Sequence, residues 1–435
     1  SGGTTPGTIT ADALGPTVIF ESEIEEQSKT TDIILRAQRS VTVGSNQFNY
    51  TASGNVAGET AGQLALASNS SLLIETRNLG VGEGGASAGI DLVTGGAHGA
   101  ALQITTRGDG DITLQTGYSN GEKVGNQIAN VLLPVLGSAS GSILVRTSDG
   151  STVQLLGAGY TSGGSIQIVA ATVTGGATLS AAGGTQIIGN YVASSGTLAF
   201  QGGASSISGT LTLTGNLGGD AALTLGGLDW RGGRMLAGGA VSLTGAGVID
   251  NTSAYRYLAR RLNVSGSLSL ENSSGYYLDV EAGGTLHLNA GGALTTGTAN
   301  GLIYLAAGNG GTAALSADAG AVVDVGGGTT LNLRGDSTTG NLISGVFSLA
   351  GDGALLLDSG LITTGADTTI SGSGLLRMTN GGALGGSHLL TIASDFEWLG
   401  GAMSGTGTTV LSGSAQIDNT SAYKYLNRRL ELTGN

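Results

Sequence analysis

Apolar and polar residues alternate along most of the chain in triplets that read in, out, in. Examples are Ile112-Thr113-Leu114, Ile166-Gln167-Ile168, Leu211-Thr212-Leu213, Leu223-Thr224-Leu225, Leu268-Ser269-Leu270, Leu286-His287-Leu288 and Leu331-Asn332-Leu333. A period of two puts Leu, Ile and Val on one side of a strand and Thr, Ser and Gln on the other. Most triplets follow Gly, Ser, Ala or Asp closely and run into a Gly-containing turn, which predicts strands of about three to five residues joined by short turns. An interior Gly costs about 1 kcal/mol in a helix, and glycines interrupt nearly every window of the sequence, so little helix is expected.

Strands this short do not make a sandwich or a barrel, which use roughly 5 to 10 residues per strand and a bounded number of strands. A parallel β-helix uses very short strands and grows coil by coil. The predicted fold is all-β: a parallel β-helix (β-solenoid) forming one elongated rod. Coils of about 20 residues would give roughly 20 coils and a length on the order of 100 Å.

Composition narrows the picture further. The chain has 435 residues with 82 Gly, 3 Pro and no Cys; 40% is hydrophobic, 4% aromatic and 11% charged. Collagen is excluded because the glycines keep no three-residue period, and a disulfide scaffold because there is no Cys. Disorder disagrees with the apolar alternation. Large aromatic rings fit poorly in a thin core, in keeping with their scarcity. Seventeen Lys and Arg against 30 Asp and Glu give a net charge of -13, which leaves no basic track for nucleic acid. Mean hydropathy is +0.20, yet the longest apolar stretch, Ile128 to Leu136, is broken by Asn130 and Pro134, so no membrane span is expected. The start at Ser1 without Met reads as a processed chain or a fragment, and the lack of Cys fits secretion.

A long repeat lies in the C-terminal half. Trp230-Arg231-Gly232-Gly233-Arg234-Met235 returns as Trp398-Leu399-Gly400-Gly401-Ala402-Met403, and Ile249-Asp250-Asn251-Thr252-Ser253-Ala254-Tyr255 returns as Ile417-Asp418-Asn419-Thr420-Ser421-Ala422-Tyr423, each 168 positions on. The chain therefore reads as one continuous solenoid in three stretches: less regular N-terminal coils over 1–204, a first copy of the long repeat over 205–373, and the start of a second copy over 374–435. An open solenoid end exposes strand edges, so the point inside the repeat where the sequence stops is expected to be capped, continued or docked on a copy.

The segment Phe396-Glu397-Trp398-Leu399-Gly400-Gly401-Ala402-Met403-Ser404-Gly405-Thr406-Gly407, followed by Arg428-Arg429-Leu430, resembles a repeat of very large bacterial surface exoproteins. Asp32-Ile33-Ile34-Leu35-Arg36-Ala37 and Gly110-Asp111-Ile112-Thr113-Leu114 look like filamentous haemagglutinin-type adhesins and autotransporter passengers. The resemblance implies a right-handed β-helix, export across a Gram-negative-type envelope to the cell surface, and a role in adhesion or surface filaments. The Asn-Pro-Asn-Gly secretion motif of two-partner systems is absent; the prolines are Pro6, Pro16 and Pro134.

Candidate chemistry is sparse. Tyr255-Arg256-Tyr257-Leu258-Ala259-Arg260-Arg261 and its copy Tyr423-Lys424-Tyr425-Leu426-Asn427-Arg428-Arg429 form two basic-aromatic patches in an acidic chain. Their recurring Tyr255, Tyr257, Arg260, Arg261, Tyr423, Tyr425, Arg428 and Arg429 could grip acidic glycans or another subunit. Adjacent strand residues point to opposite faces, so the paired arginines suggest a protruding loop. Two Arg-Gly-Asp tripeptides, Arg107-Gly108-Asp109 and Arg334-Gly335-Asp336, are candidate adhesive loops as well as ordinary turns. Glu21, Glu23, Glu25 and Glu26 read as a solvated strand or an edge guard, and His98, His287 and His388 as structural residues. Gly108-Asp109-Gly110-Asp111 is one degenerate copy of a calcium-binding repeat, too little for stacked sites. No catalytic, metal or cofactor motif stands out, so no cofactor is expected. The expected function is a non-enzymatic surface protein whose partners are copies of itself or host and cell-surface glycans and receptors. The alternative is a glycan-active β-helix enzyme, a lyase or hydrolase.

Overall fold

A computed structural model describes residues 8–10, 19, 21–42, 63–77, 88–93, 103–124, 128–251, 253–272, 276–297, 301–307, 314–335, 340–418 and 422–434. They form a parallel β-solenoid with almost no helix. The chain divides into two compact units, one comprising Ser1–Thr210 with Gly219–Ala221, the other Leu211–Gly218 with Ala222–Asn435.

In the first unit one ladder runs in register through Ile33, Leu72, Ile112, Ile143, Ile166 and Thr185. The coil is not of constant length. Residues stacked on neighbouring coils are 39 apart between Arg36 and Glu75, 31 between Gln115 and Arg146, and 19 between Gln167 and Gln186. The described chain therefore makes fewer turns than a fixed coil of about 20 residues would give. Inward positions hold the register because one face must be buried, whereas corners accept insertions without disturbing it. One such insertion holds the small hairpin of Tyr118–Ser119 with Glu122–Lys123.

The corners before this ladder share a device that the sequence encodes as a small polar residue ahead of each inward Ile or Leu. Asp32 Oδ1 accepts the Ser71 N–H at 2.8 Å, Ser71 Oγ the Asp111 N–H at 3.1 Å, Asp111 Oδ1 the Ser142 N–H at 2.6 Å, and Ser142 Oγ the Ser165 N–H at 3.2 Å. Each side chain thus satisfies a backbone donor of the next coil where the ladder bends.

The Glu-rich segment differs from its strand reading. Glu21–Ser28 is a helix free of Gly, packed on the strand Gln63–Ser68. Buried Glu25 accepts the Ala65 N–H at 2.9 Å and Ser28 Oγ accepts the Ala67 N–H at 2.9 Å. These contacts occupy edge donors of that strand, so edge protection is achieved by a helix.

In the second unit each coil contributes strands to three ladders, with Leu, Val, Ile and the large Trp230, Phe347 and Phe396 inside. The repeated Gly-Gly has a steric cause. Gly233 and Gly401 sit at φ +64 and +90, where an added Cβ would come within 1.9 Å of Gly215 O and 2.1 Å of Gly382 O. The Trp230 indole N–H donates to Gly232 O at 2.7 Å, closing the same turn.

The two repeat copies do not lie on the same ladders. Trp230 pairs with Ile249 and through it with Leu270, a ladder that continues by way of Phe347 and Ile370 to Leu411. Its counterpart Trp398 follows Met378 on the ladder that holds Met235, Leu258 and Val280. Met403, the counterpart of Met235, follows Leu384 on the ladder of Leu243, Val264 and Leu288. The second copy is displaced by one ladder, a third of a turn. All three ladders demand the same alternation, so a strand-corner-strand module can occupy any of them.

Candidate functional site

The Tyr-Arg segments do not protrude. Arg256–Leu258, Arg261–Val264, Lys424–Leu426 and Arg429–Leu432 are all ladder strands, and at the corner between them one arginine of each pair turns inward. Arg260 is 2% exposed. Its guanidinium donates to Leu236 O at 2.5 Å, Gly239 O at 3.2 Å and Leu217 O at 3.5 Å, reaching two coils back. Arg428 does likewise, donating to Ser404 O at 3.4 Å, Gly386 O at 3.5 Å, His388 O at 2.8 Å and Thr408 O at 3.2 Å. Burial pushes the Arg260 pKa down to about 10 and lowers that of Arg428, though a pKa near 10 keeps Arg260 charged at neutral pH. A five-donor guanidinium suits this place, because corner carbonyls have left the strand ladder and need donors.

A second cation in each copy has a matching role that the sequence reading missed. Buried Arg256 donates to Ala254 O at 2.9 Å, Tyr255 O at 3.2 Å and also Arg231 O; in the other copy Lys424 Nζ donates to Ala422 O and Leu399 O, both at 3.1 Å. The signal was present as a positive charge kept at one repeat position although Arg256 became Lys424.

The outward members are paired along their own strands, Arg261 with Asn263 at 2.6 Å and Arg429 with Glu431 at 2.7 Å. Arg234 lies 4.1 Å from the Tyr257 ring centroid and pairs with Glu281 at 2.5 Å. Tyr255 meets Tyr276 edge-on at 5.2 Å. Tyr423 and Tyr425 are 83% and 60% exposed, and Ala402 stands opposite Tyr425 where Arg234 stands opposite Tyr257. With the copies on different ladders, the two tyrosine pairs do not share a face. Each of Arg260, Arg261, Arg428 and Arg429 has a hydrogen-bond partner within the chain, and of these partners only Glu431, beside Arg429, is charged.

The Arg-Gly-Asp tripeptides differ from each other. Arg107 ends the strand Gln103–Arg107, Gly108 turns at φ +67, and exposed Asp109 donates its N–H to Asn69 Oδ1 at 3.1 Å. In the other, Arg334 is held by Asp358 of the next coil through two bonds, of 2.9 and 2.6 Å; Gly335 follows it and Asp336 lies outside the described residues. His98 also lies outside them. His287 is buried with Nδ1 at 3.1 Å from Ser316 Oγ, and burial and Arg261 lower its pKa. Asn332 is another surprise: placed on the outer side of its strand, it is nonetheless buried, donating to Asp358 at 2.8 Å.

Two carboxylates act as bridges between coils. Glu75 accepts from Arg36 at 3.1 Å, from the Asn120 and Gly121 N–H groups at 2.7 and 3.0 Å, and from the Gln115 amide. Burial alone would raise its pKa, but these donors outweigh it and hold the carboxyl below its ordinary value. Asp358 shows the same balance, burial opposed by Arg334 and Asn332, with the same downward result. A depressed folded pKa contributes stability at pH above the unfolded value of about 4, which is lost as pH falls through the folded value. The melting temperature is expected to hold from pH 7 to about 5 and to fall below about 4, with a smaller fall in Glu75→Gln. An identical loss in that variant would assign the acid sensitivity to other groups.

Among the described residues no cluster of three or more His, Asp and Glu is placed to hold a metal ion. A half-open groove of about 540 Å³ lies on the first unit. Thr113, Leu144, Gln167 and Gln186, stacked in register on four successive coils, form its floor, and the Asp111, Ser142 and Ser165 corners form one wall. The Gln167 amide donates to the Gln186 amide oxygen. Nothing in the sequence reading pointed to this groove. No family model, curated protein or solved structure matches the chain.

Proposed function

We propose that the chain is a non-enzymatic extracellular protein of structural or adhesive function. In this reading it is a right-handed β-helix displayed on a bacterial surface or joined to copies of itself in a filament or sheath, mediating adhesion or biofilm formation. The observation that carries the reading is the use of its perturbed ionisable groups. Glu75, Arg256, Arg260, Asp358 and Arg428 each tie one coil to another, and none lines the groove. Catalytic sites gather such groups around a cavity; here they reinforce the stack, as a scaffold requires. The right hand follows the strong preference of parallel strand connections. The Trp-Gly-Gly-Met resemblance supports the surface location, and exposed Asp109 in its turn remains a candidate receptor contact.

Immunogold electron microscopy of the producing cells tests location, and release of reducing ends from neutral and acidic polysaccharides tests for turnover. Surface label with no release is the expected result. Catalytic release would overturn the reading in favour of the glycan-active enzyme, and label confined to the cell interior would overturn the location.

A further inference from the structure

The groove on the first unit has a chemistry that the scaffold reading leaves unused. Its concavity arises where the corner wall drops away: Ser142 and Ser165 give way to Gly184, whose φ of +86 and whose Cβ position, 2.0 Å from Ala204 O, exclude a side chain. The floor offers the hydroxyl of Thr113 and, two and three coils further on, the amides of Gln167 and Gln186, on coils spaced about 4.8 Å apart. Between them Leu144 presents half-buried apolar surface. The volume of about 540 Å³ falls in the range typical of small-ligand sites.

We infer that this groove binds a segment of a linear, uncharged polysaccharide lying along the stacking direction. The lining includes no Lys or Arg and one carboxylate, Asp111, so an anionic ligand would find no counter-charge on a chain of net charge -13. An extended peptide docks by adding to a sheet edge. Here the strands Ile112–Thr116, Ile143–Arg146 and Ile166–Thr174 are paired on both sides, so no edge is offered. Nor does the lining contain an aromatic pocket of the kind that anchors protein partners. A sugar chain asks for what is present: hydroxyl and amide partners spread along the stacking direction, with an apolar footing at Leu144 for the C–H faces of its rings. The inference rests on the adhesive reading and gives it a ligand class.

Binding of dextran, laminarin and pullulan, with heparin as the polyanionic comparison, would be measured by calorimetry at about 0.05 and 0.5 M salt. At least one neutral polysaccharide is expected to bind, with affinity nearly independent of salt because no ion pair is made. The double variant Gln167→Ala/Gln186→Ala should lose about tenfold or more in affinity while keeping the wild-type circular dichroism and melting temperature. Ser242→Ala on the second unit should bind as wild type. Binding of none of the three neutral polysaccharides, binding of heparin alone, or undiminished binding in the double variant would overturn the proposal. If the variant is folded, fails to bind the polysaccharide and still adheres to cells like wild type, the groove is not the adhesive site and the adhesive reading stands. If wild type binds the polysaccharide but neither reaches the surface nor adheres, the adhesive reading fails and the groove stands.

Discussion

Leu268→Asp is expected to collapse the coils around it, while Thr391→Asp, outward on the same ladder, leaves the melting temperature almost unchanged. Leu268 is fully buried and paired in register between Gly247 and Leu294. An unpaired carboxylate there costs several kcal/mol, and the lost apolar burial adds about 2 kcal/mol. Together these are comparable with the stability of a whole domain, about 5 to 15 kcal/mol. Because a solenoid is stabilised mainly by contacts between neighbouring coils, the damage should be local at first, so limited proteolysis should cut the variant near that coil. Thr391 stacks between Thr369 and Val410, neither of them charged. Ser269 and Asn332 are poorer controls despite their outward positions, since Ser269 donates to Glu271 at 2.7 Å and Asn332 to Asp358, and a new Asp would face a carboxylate in either place. Equal loss in the inward and outward variants would contradict the alternation on which the ladder assignment depends.

The alternation was legible because burial of one face is a local, period-two demand that every strand must meet. Coil length was not, because a corner can carry a hairpin such as 118–123 without disturbing the inward residues on either side. The repeat is visible as a recurrence 168 positions on, yet its displacement by one ladder depends on how many residues the intervening corners absorb, and no residue within the repeat reports that. Arg260 and Arg428 were found by their recurrence but assigned the wrong direction. Alternation requires one arginine of each pair to point inward; what the sequence hides is that the corner carbonyls of two earlier coils converge there to receive it. The groove was invisible for a similar reason. Gln167, Gln186 and Ser142 are unremarkable in sequence and become neighbours only through the stacking of separate coils.

Arg260→Met tests whether the inward guanidinium holds the second unit together. Methionine keeps much of the apolar stem and fills most of the space, so the change removes mainly the donors. Replacing a buried charge by an apolar residue can be neutral or stabilising when its partners are replaced with it. Arg260 differs because its partners are backbone carbonyls of Leu217, Leu236 and Gly239, which remain whatever the side chain. Each carbonyl left buried without a donor costs about 1 to 3 kcal/mol. The depressed pKa shows that burial penalises the charge, so the net loss should be smaller than the sum over three carbonyls, on the order of 2 to 4 kcal/mol. Arg261→Met, beside it but outward and paired with Asn263, should shift stability by less than about 0.5 kcal/mol. Arg428→Met should repeat the larger loss on another ladder, and with no shared carbonyl the two losses should add in the double variant. Arg260→Lys should recover part of the loss: Lys424 bonds two carbonyls at the corner matching Arg256, but a single ammonium does not offer the forked reach that spans two coils. Urea denaturation of the five variants decides the matter, and an Arg260→Met midpoint equal to that of Arg261→Met would show that water serves those carbonyls as well as the arginine does.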